Sequence, residues 1–415
     1  MTIAHAIALP EVRQPGVSFA GRDRCRTARP SYRRWWRALS FCVLTLLLGP
    51  AGPAQAQHAG RTDGLWQDAV DRYLSGDRSG AATLLLRASR DDLLDSSRRA
   101  FEQWRVTPAS APEVRRVAAR RLQVSALMPL DVLIAVTGRA LPSDLETALE
   151  DAARDAWHRL DAFDDGSHDD AERVGQFRTW WRIGLVQHLI VSGRFPDVPR
   201  EVSAVRVADD DAAARAALAL LRGVALETRA RLADEAPAGT AAVTMRRLQT
   251  PSRMRPMLMA MEDAGKQYRR VLDLVAGHRE ATLRLARVAI ERGRLDEAER
   301  VLAPLLAQPC RDAICGLAHL FAGEVRDARN DTGGAAGAYA RASAVPSVRH
   351  SALVAMMQTS MRRGNAGGAY DVTRQFATPL ALAPRQAPDA WSLYAAGRLI
   401  DTDLVLAQLR AVVLP

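Results

Sequence analysis

The sequence predicts an all-α protein, a right-handed α-solenoid of antiparallel helix hairpins whose N-terminal half is degenerate. Three observations carry this reading. Ala264, Ala298, Ala335 and Ala369 share a small-then-bulky pattern at separations of 34, 37 and 34 residues, a period that belongs to stacked helical hairpins. Apolar residues recur at helical spacing through most of the chain beyond residue 56. Only "DVLIAVTG", Asp131 to Gly138, is β-branched enough to tempt a strand assignment. Without a second strand to pair with, it too reads as helix.

The first 56 residues stand apart. Arg33, Arg34 and Arg37 precede an apolar core from about Leu39 to Leu48, and small Ala54 and Ala56 follow. This is the pattern of a secretory signal cleaved after Ala56, with an apolar run short of the roughly 20 residues that span a bilayer. Arg33 and Arg34 before Trp35 and Trp36 are similar to a twin-arginine export motif, and the general secretory route is the plainer reading. Bulky Phe41 precedes Cys42, which does not fit lipid attachment. The 30 residues ahead of the signal are long for its class, which leaves open whether Met1 is the true start. The expectation is an exported protein, periplasmic or secreted in a bacterial cell envelope.

Removing the leader changes the charge. It holds eight arginines against Glu11 and Asp23, so the formal +10 falls by six to +4 for the remaining 359 residues. No later segment interleaves clustered basic residues with aromatics, so nucleic acid is not expected as a partner. Lys266 is the single lysine, a sign of coding bias rather than of a phosphate site.

From 57 to 236 the hairpins are degenerate. "LWQDAVDRYLSGDRSGAATLLL" places Trp66, Ala69, Val70 and Tyr73 on one face, breaks at Gly76, and resumes with Ala81 and Leu85. In "PSDLETALEDAARDAWHRL" Ser143 and Glu146 suit a capping box, and Leu145, Leu149, Ala152, Ala156, Trp157 and Leu160 form the apolar stripe. "RTWWRIGLVQHLIVSGRF" reads as a helix ending near Gly193, and Asp209 to Ala236 as a long alanine-rich helix opened by three aspartates.

From 237 to 388 the repeats are regular. The best copy runs from Glu280 to Pro309: Leu285, Ala286, Ala289 and Ile290 stripe a first helix ended by Gly293. Asp296 and Glu297 open a second helix, suiting its dipole, and Ala298, Leu302 and Leu305 form its buried side. Other copies read Gly323, Ala335, Tyr339, Ala342 and Pro346, then Gly364, Ala369, Thr373 and Phe376. An earlier copy keeps Ala264, Tyr268 and Val271, with Pro256 expected to kink its first helix. The three-residue excess between Ala298 and Ala335 is expected in loops such as "RNDTGG". Residues 389–415, with Trp391, Leu393, Tyr394, Leu399 and Leu406, read as a C-terminal helical cap.

This pattern resembles the tetratricopeptide repeat over roughly the last third of the chain. The resemblance implies a non-catalytic scaffold that binds a protein or peptide partner in a groove lined by the first helices. The matching groove places hold Leu283, Arg287 and Glu291, then Leu320, Glu324 and Asp327, then Val354, Gln358 and Arg362. Chaperone-binding members use a lysine and asparagine clamp on this face. Leu283 with Arg287, Leu320 with Glu324 and Val354 with Gln358 do not reproduce it.

No catalytic, cofactor or metal residues are predicted. Cys310 and Cys315 stand too far apart for one straight helix but close enough to bridge across a turn, which an oxidising envelope favours. Their spacing is not the Cys-x-x-Cys of redox catalysts. "DAFDDGSHDDAE", Asp161 to Glu172, could hold a hard cation but fits a solvated acidic loop better. His188 and His319, among apolar residues, read as structural histidines. Two other function classes remain open: an enzyme or ligand-binding protein with Trp157, Trp180 and Trp181 lining a cleft in the irregular middle region, and a purely structural envelope spacer.

Overall fold

The computed structural model describes residues 62–106, 112–135, 141–161, 168–234, 251–380, 389–398 and 402–414. The expected leader lies outside these residues, as does 162–167 of the acidic loop. The described residues form seventeen helices and no strand. They are α1 (Thr62–Leu74), α2 (Arg78–Leu85), α3 (Arg90–Arg105), α4 (Pro112–Ala135), α5 (Ser143–Asp161), α6 (His168–Val191), α7 (Val198–Ala204), α8 (Ala212–Asp234) and α9 (Pro251–Leu274). There follow α10 (Arg279–Glu291), α11 (Leu295–Leu306), α12 (Ala313–Ala328), α13 (Thr332–Ser343), α14 (Arg349–Arg362), α15 (Ala366–Leu380), α16 (Ala390–Ala395) and α17 (Thr402–Val413). Residues 131–135 of "DVLIAVTG" are helical, at the end of α4.

Sequential helices pack as pairs, α8 on α9, α10 on α11, α12 on α13 and α14 on α15, and each pair leans on the next. One turn recurs at the hairpin bends. Gly76, Gly193, Gly293, Asn330 and Gly364 all sit at positive φ, where glycine has no steric penalty and asparagine a tolerable one. At each, the next backbone N–H reaches back to a carbonyl of the first helix's last turn, as Arg294 does to Ala289 and Asp331 to Arg326. This is the left-handed helix stop. The second helix then starts on a side-chain cap in three copies: Asp77 accepts from Gly80 N, Asp331 from Gly334 N and Asn365 from Gly368 N.

Three expectations are corrected by this geometry. Pro256 lies in α9, the same helix as Ala264, so it does not kink a first helix; the first helix of that hairpin is α8, separated by residues 235–250. Close approach marks the pair. A Cβ on Gly223 of α8 would stand 2.4 Å from the Tyr268 ring of α9, as one on Gly323 of α12 would stand 2.3 Å from Tyr339 of α13. Next, Asn330 precedes Ala335 by the same five residues that separate Gly293 from Ala298 and Gly364 from Ala369. The three extra residues therefore lie before Asn330 and not in the "RNDTGG" turn. Finally, residues 389–398 and 402–414, read as parts of a terminal cap, pack along the row of first helices instead: α16 on α12, and α17 on α6 and α4.

The core has two main parts, and the C-terminal segment reaches both. Val405, Leu406, Leu409 and Val413 are buried with the helices up to α10, while Ala390 and Tyr394 are buried with Leu317, Phe321 and Tyr339 of the later hairpins.

Candidate functional site on the inner face

The first helices α8, α10, α12 and α14 present one face in succession, and residues 389–398 lie on it. Asp389 accepts from Ser351 Oγ at 2.6 Å and caps α16 through Trp391 N at 3.0 Å. The Ala390 N–H donates to Ser347 O at 2.7 Å. Trp391 and Tyr394, three apart and therefore on one side of a helix, stack at 5.6 Å, and Phe321 of α12 meets both edge-on at 5.7 and 5.5 Å. Arg398 Nε donates to Val191 O at 3.0 Å.

Charge fixes these rings. Arg284 stands 4.5 Å and Arg231 5.1 Å from the centre of Tyr394, while Arg287 lies 4.8 Å from Trp391, distances at which guanidinium and ring attract. Beneath them is Glu227, fully buried. Its carboxylate accepts from Tyr268 Oη at 2.5 Å, Tyr394 Oη at 2.6 Å, Arg231 Nη2 at 2.5 Å and Arg284 Nη1 at 3.2 Å. Burial opposes its ionisation, but Arg231 and Arg284 outweigh that and hold the carboxyl below its usual range. Burial and the same carboxylate push the hydroxyl groups of Tyr268 and Tyr394 up, so both remain donors.

The expected groove residues divide into three groups. Leu283 and Leu320 are buried in the core, in the cluster that also holds Ala390 and Tyr394. Arg287, Glu291, Glu324, Asp327 and Arg362 do come together, but as ion pairs with one another and not as free anchors. Arg287 bonds Glu291 at 2.7 Å and also pairs with Glu324. Arg231 reaches Glu291 at 2.9 Å, and Arg362 pairs with Asp327, which also accepts from Thr359 at 3.2 Å. Val354 is half-buried and Gln358 exposed. Of the residues that meet on this face, Glu227, Arg231, Arg284 and Phe321 had no reading from the sequence, and Trp391 and Tyr394 were read only as part of a terminal cap. Their signal was available: Glu227, Arg231 and Arg284 are charged residues set within otherwise apolar helix faces.

The cysteine pair closes the turn between α11 and α12. Cys310 and Cys315 are joined, with Cα atoms 5.3 Å apart, and Asp312 between them caps α12 through Cys315 N. His319, one turn beyond Cys315, completes a group whose ligand atoms all lie within 4.8 Å of one another. Its buried Nδ1 has no hydrogen-bond partner among the described residues, so it is not the satisfied histidine the sequence suggested. With both sulfurs in the bridge, the group offers one nitrogen donor.

In the middle region Trp157 and Trp181 stack at 4.5 Å, and Trp181 Nε1 donates to Ala126 O at 2.8 Å. Trp157, Trp180 and Trp181 are all nearly fully buried. Trp157 and Trp180 nevertheless contribute edges to an open cleft of about 990 Å³ that also carries Arg182, Arg206 and Asp211. Asp211 is engaged as the cap of α8 through Ala214 N at 2.8 Å.

Among the described residues no helix is long and apolar enough to cross a membrane. No curated protein matches the chain. Residues 260–309, which run from within α9 through α10 and α11, match the family model described as tetratricopeptide repeat. With that match set on helices that pair and stack along the chain, residues 260–309 carry a tetratricopeptide repeat within an all-helical scaffold of the protein-interaction kind.

Proposed function

We propose that the chain is an exported scaffold that binds a protein partner in the cell envelope. Its inner face takes a short helix that presents two aromatic side chains one turn apart behind an acidic cap. One observation carries this reading: residues 389–398 occupy the face in that manner, touching α8, α10, α12 and α14 through Asp389, Trp391 and Tyr394. A helix in a groove is held by anchors at such spacing, and Trp and Tyr flanked by arginine are the side chains that most often dominate binding. The resident segment thus doubles as a template for the partner and as its competitor. Export rests on the basic, apolar and small-residue sequence of the leader.

The test uses the chain with Trp391→Ala, which loosens the resident segment, and a fluorescent peptide copying residues 387–399. The peptide should bind this variant, should bind the unaltered chain at least about tenfold more weakly, since a competitor already fills the face, and should lose affinity when its own tryptophan and tyrosine are replaced by alanine. Absence of binding to the variant, with its helical signal intact, would make residues 389–398 a fixed part of the core and end this reading. Detection of the chain in the cytoplasm with its leader uncut would end the export claim separately.

A further inference from the structure

A second site lies away from the inner face, between α7, α8 and α9. There Phe195, Val198 and Val202 face Ala225 and Leu226 across an apolar slot of about 280 Å³. Arg222 and Arg229 also line it, together with Gln267 of α9. The two arginines are seven residues apart on α8 and so share a face.

Arg222 is half-buried and Arg229 exposed. Arg154, Arg231, Arg284 and Arg287 each pair with a carboxylate, whereas Arg222 and Arg229 make no ion pair among the described residues, and neither does nearby Arg270. Partial burial, and then repulsion from Arg270, lower the pKa of Arg222. A positive charge left half-desolvated beside another is costly unless an anion joins it. The buried Oε1 of Gln267 also has no hydrogen-bond partner; turning this amide over would present N–H donors to an anion instead. An apolar slot with a few convergent polar groups is the usual form of a small-ligand site.

We propose that this slot binds a single-chain carboxylate amphiphile, its hydrocarbon tail among Phe195, Val198, Val202 and Leu226 and its carboxylate on Arg222 and Arg229. Volume limits the class. The slot of about 280 Å³ lies at the small end of ligand-pocket size, which suits a small amphiphile with one hydrocarbon chain.

Calorimetric titration of the full chain with octanoate, octan-1-ol, octyltrimethylammonium and acetate tests the proposal. Octanoate should bind at least about tenfold more tightly than octan-1-ol, octyltrimethylammonium more weakly than either, and acetate not measurably. Arg222→Gln should erase the preference for octanoate over octan-1-ol while leaving octan-1-ol unchanged. Ala225→Trp should block both at unaltered helical content, and Val198→Phe serves the same purpose if that variant does not fold. No octanoate binding, equal binding of octanoate and octan-1-ol, acetate binding as well as octanoate, or a preference that survives Arg222→Gln would each overturn the proposal.

Discussion

At the scale of single residues, the buried carboxylates set what this protein tolerates. Glu227 takes two arginines and two tyrosines, and removing its charge leaves Arg284 buried without that partner. Glu227→Gln should destabilise the fold by about 3–5 kcal/mol, while Tyr394→Phe, which removes one donor, should cost about 1–3 kcal/mol; thermal unfolding of both variants checks the order. Alongside Glu227, Glu150 contributes to acid stability. Burial opposes its ionisation, but His188 at 3.6 Å, Arg154 at 2.9 Å and Arg194 outweigh it and lower its pKa to about 2. A carboxyl whose folded pKa lies below its unfolded value contributes stability that is complete above the unfolded value and lost as pH falls through the folded one. Stability should therefore decline from about pH 5 towards pH 2, and Glu150→Gln should flatten that decline in denaturant titrations.

At the scale of elements, the hairpins work through close approach. Gly323→Ala places a methyl against the buried Tyr339 ring and should cost about 1–3 kcal/mol. Gly337→Ala, one turn into α13 with nothing within 4 Å of its added carbon, should instead stabilise by about 0.5–1 kcal/mol. The contrast can be read from melting temperatures of the two variants. Hairpins from Ala264 onward were legible because a small residue at fixed spacing reports where two helices touch. α8 was legible as a helix but not as a first helix, since residues 235–250 break the period that would have joined Gly223 to Tyr268. The groove was legible as a face, which spacing defines. Which of its side chains pair with each other is a property of distance across helices, so Arg287 with Glu324 and Arg362 with Asp327 could not be read from order along the chain.

At the scale of the whole molecule, the C-terminal segment ties the first-helix row together. Arg410 bonds Asp131 at 2.6 Å, and Asp131 in turn accepts from Tyr73 at 2.5 Å; Arg120 Nε donates to Val413 O at 2.9 Å. Nothing in the periodicity of residues 389–415 indicates this destination, because α17 is striped as any terminal helix would be. Truncation after Pro388 should therefore do more than fray the last hairpin. Hydrogen exchange should accelerate in α4, α6, α8 and α12 together, whereas acceleration confined to α14 and α15 would contradict the placement of the tail.

An array of stacked hairpins ordinarily folds from neighbour to neighbour, with each unit waiting on the one beside it. Here Arg410 must find Asp131 across 279 residues, so closure is a high-contact-order step that belongs late in folding. A chain that emerges N-terminus first completes its scaffold before its last residues appear. During that interval the face on α8, α10 and α12 has yet to receive residues 389–398, so its charged and aromatic side chains meet solvent before they meet Trp391 and Tyr394.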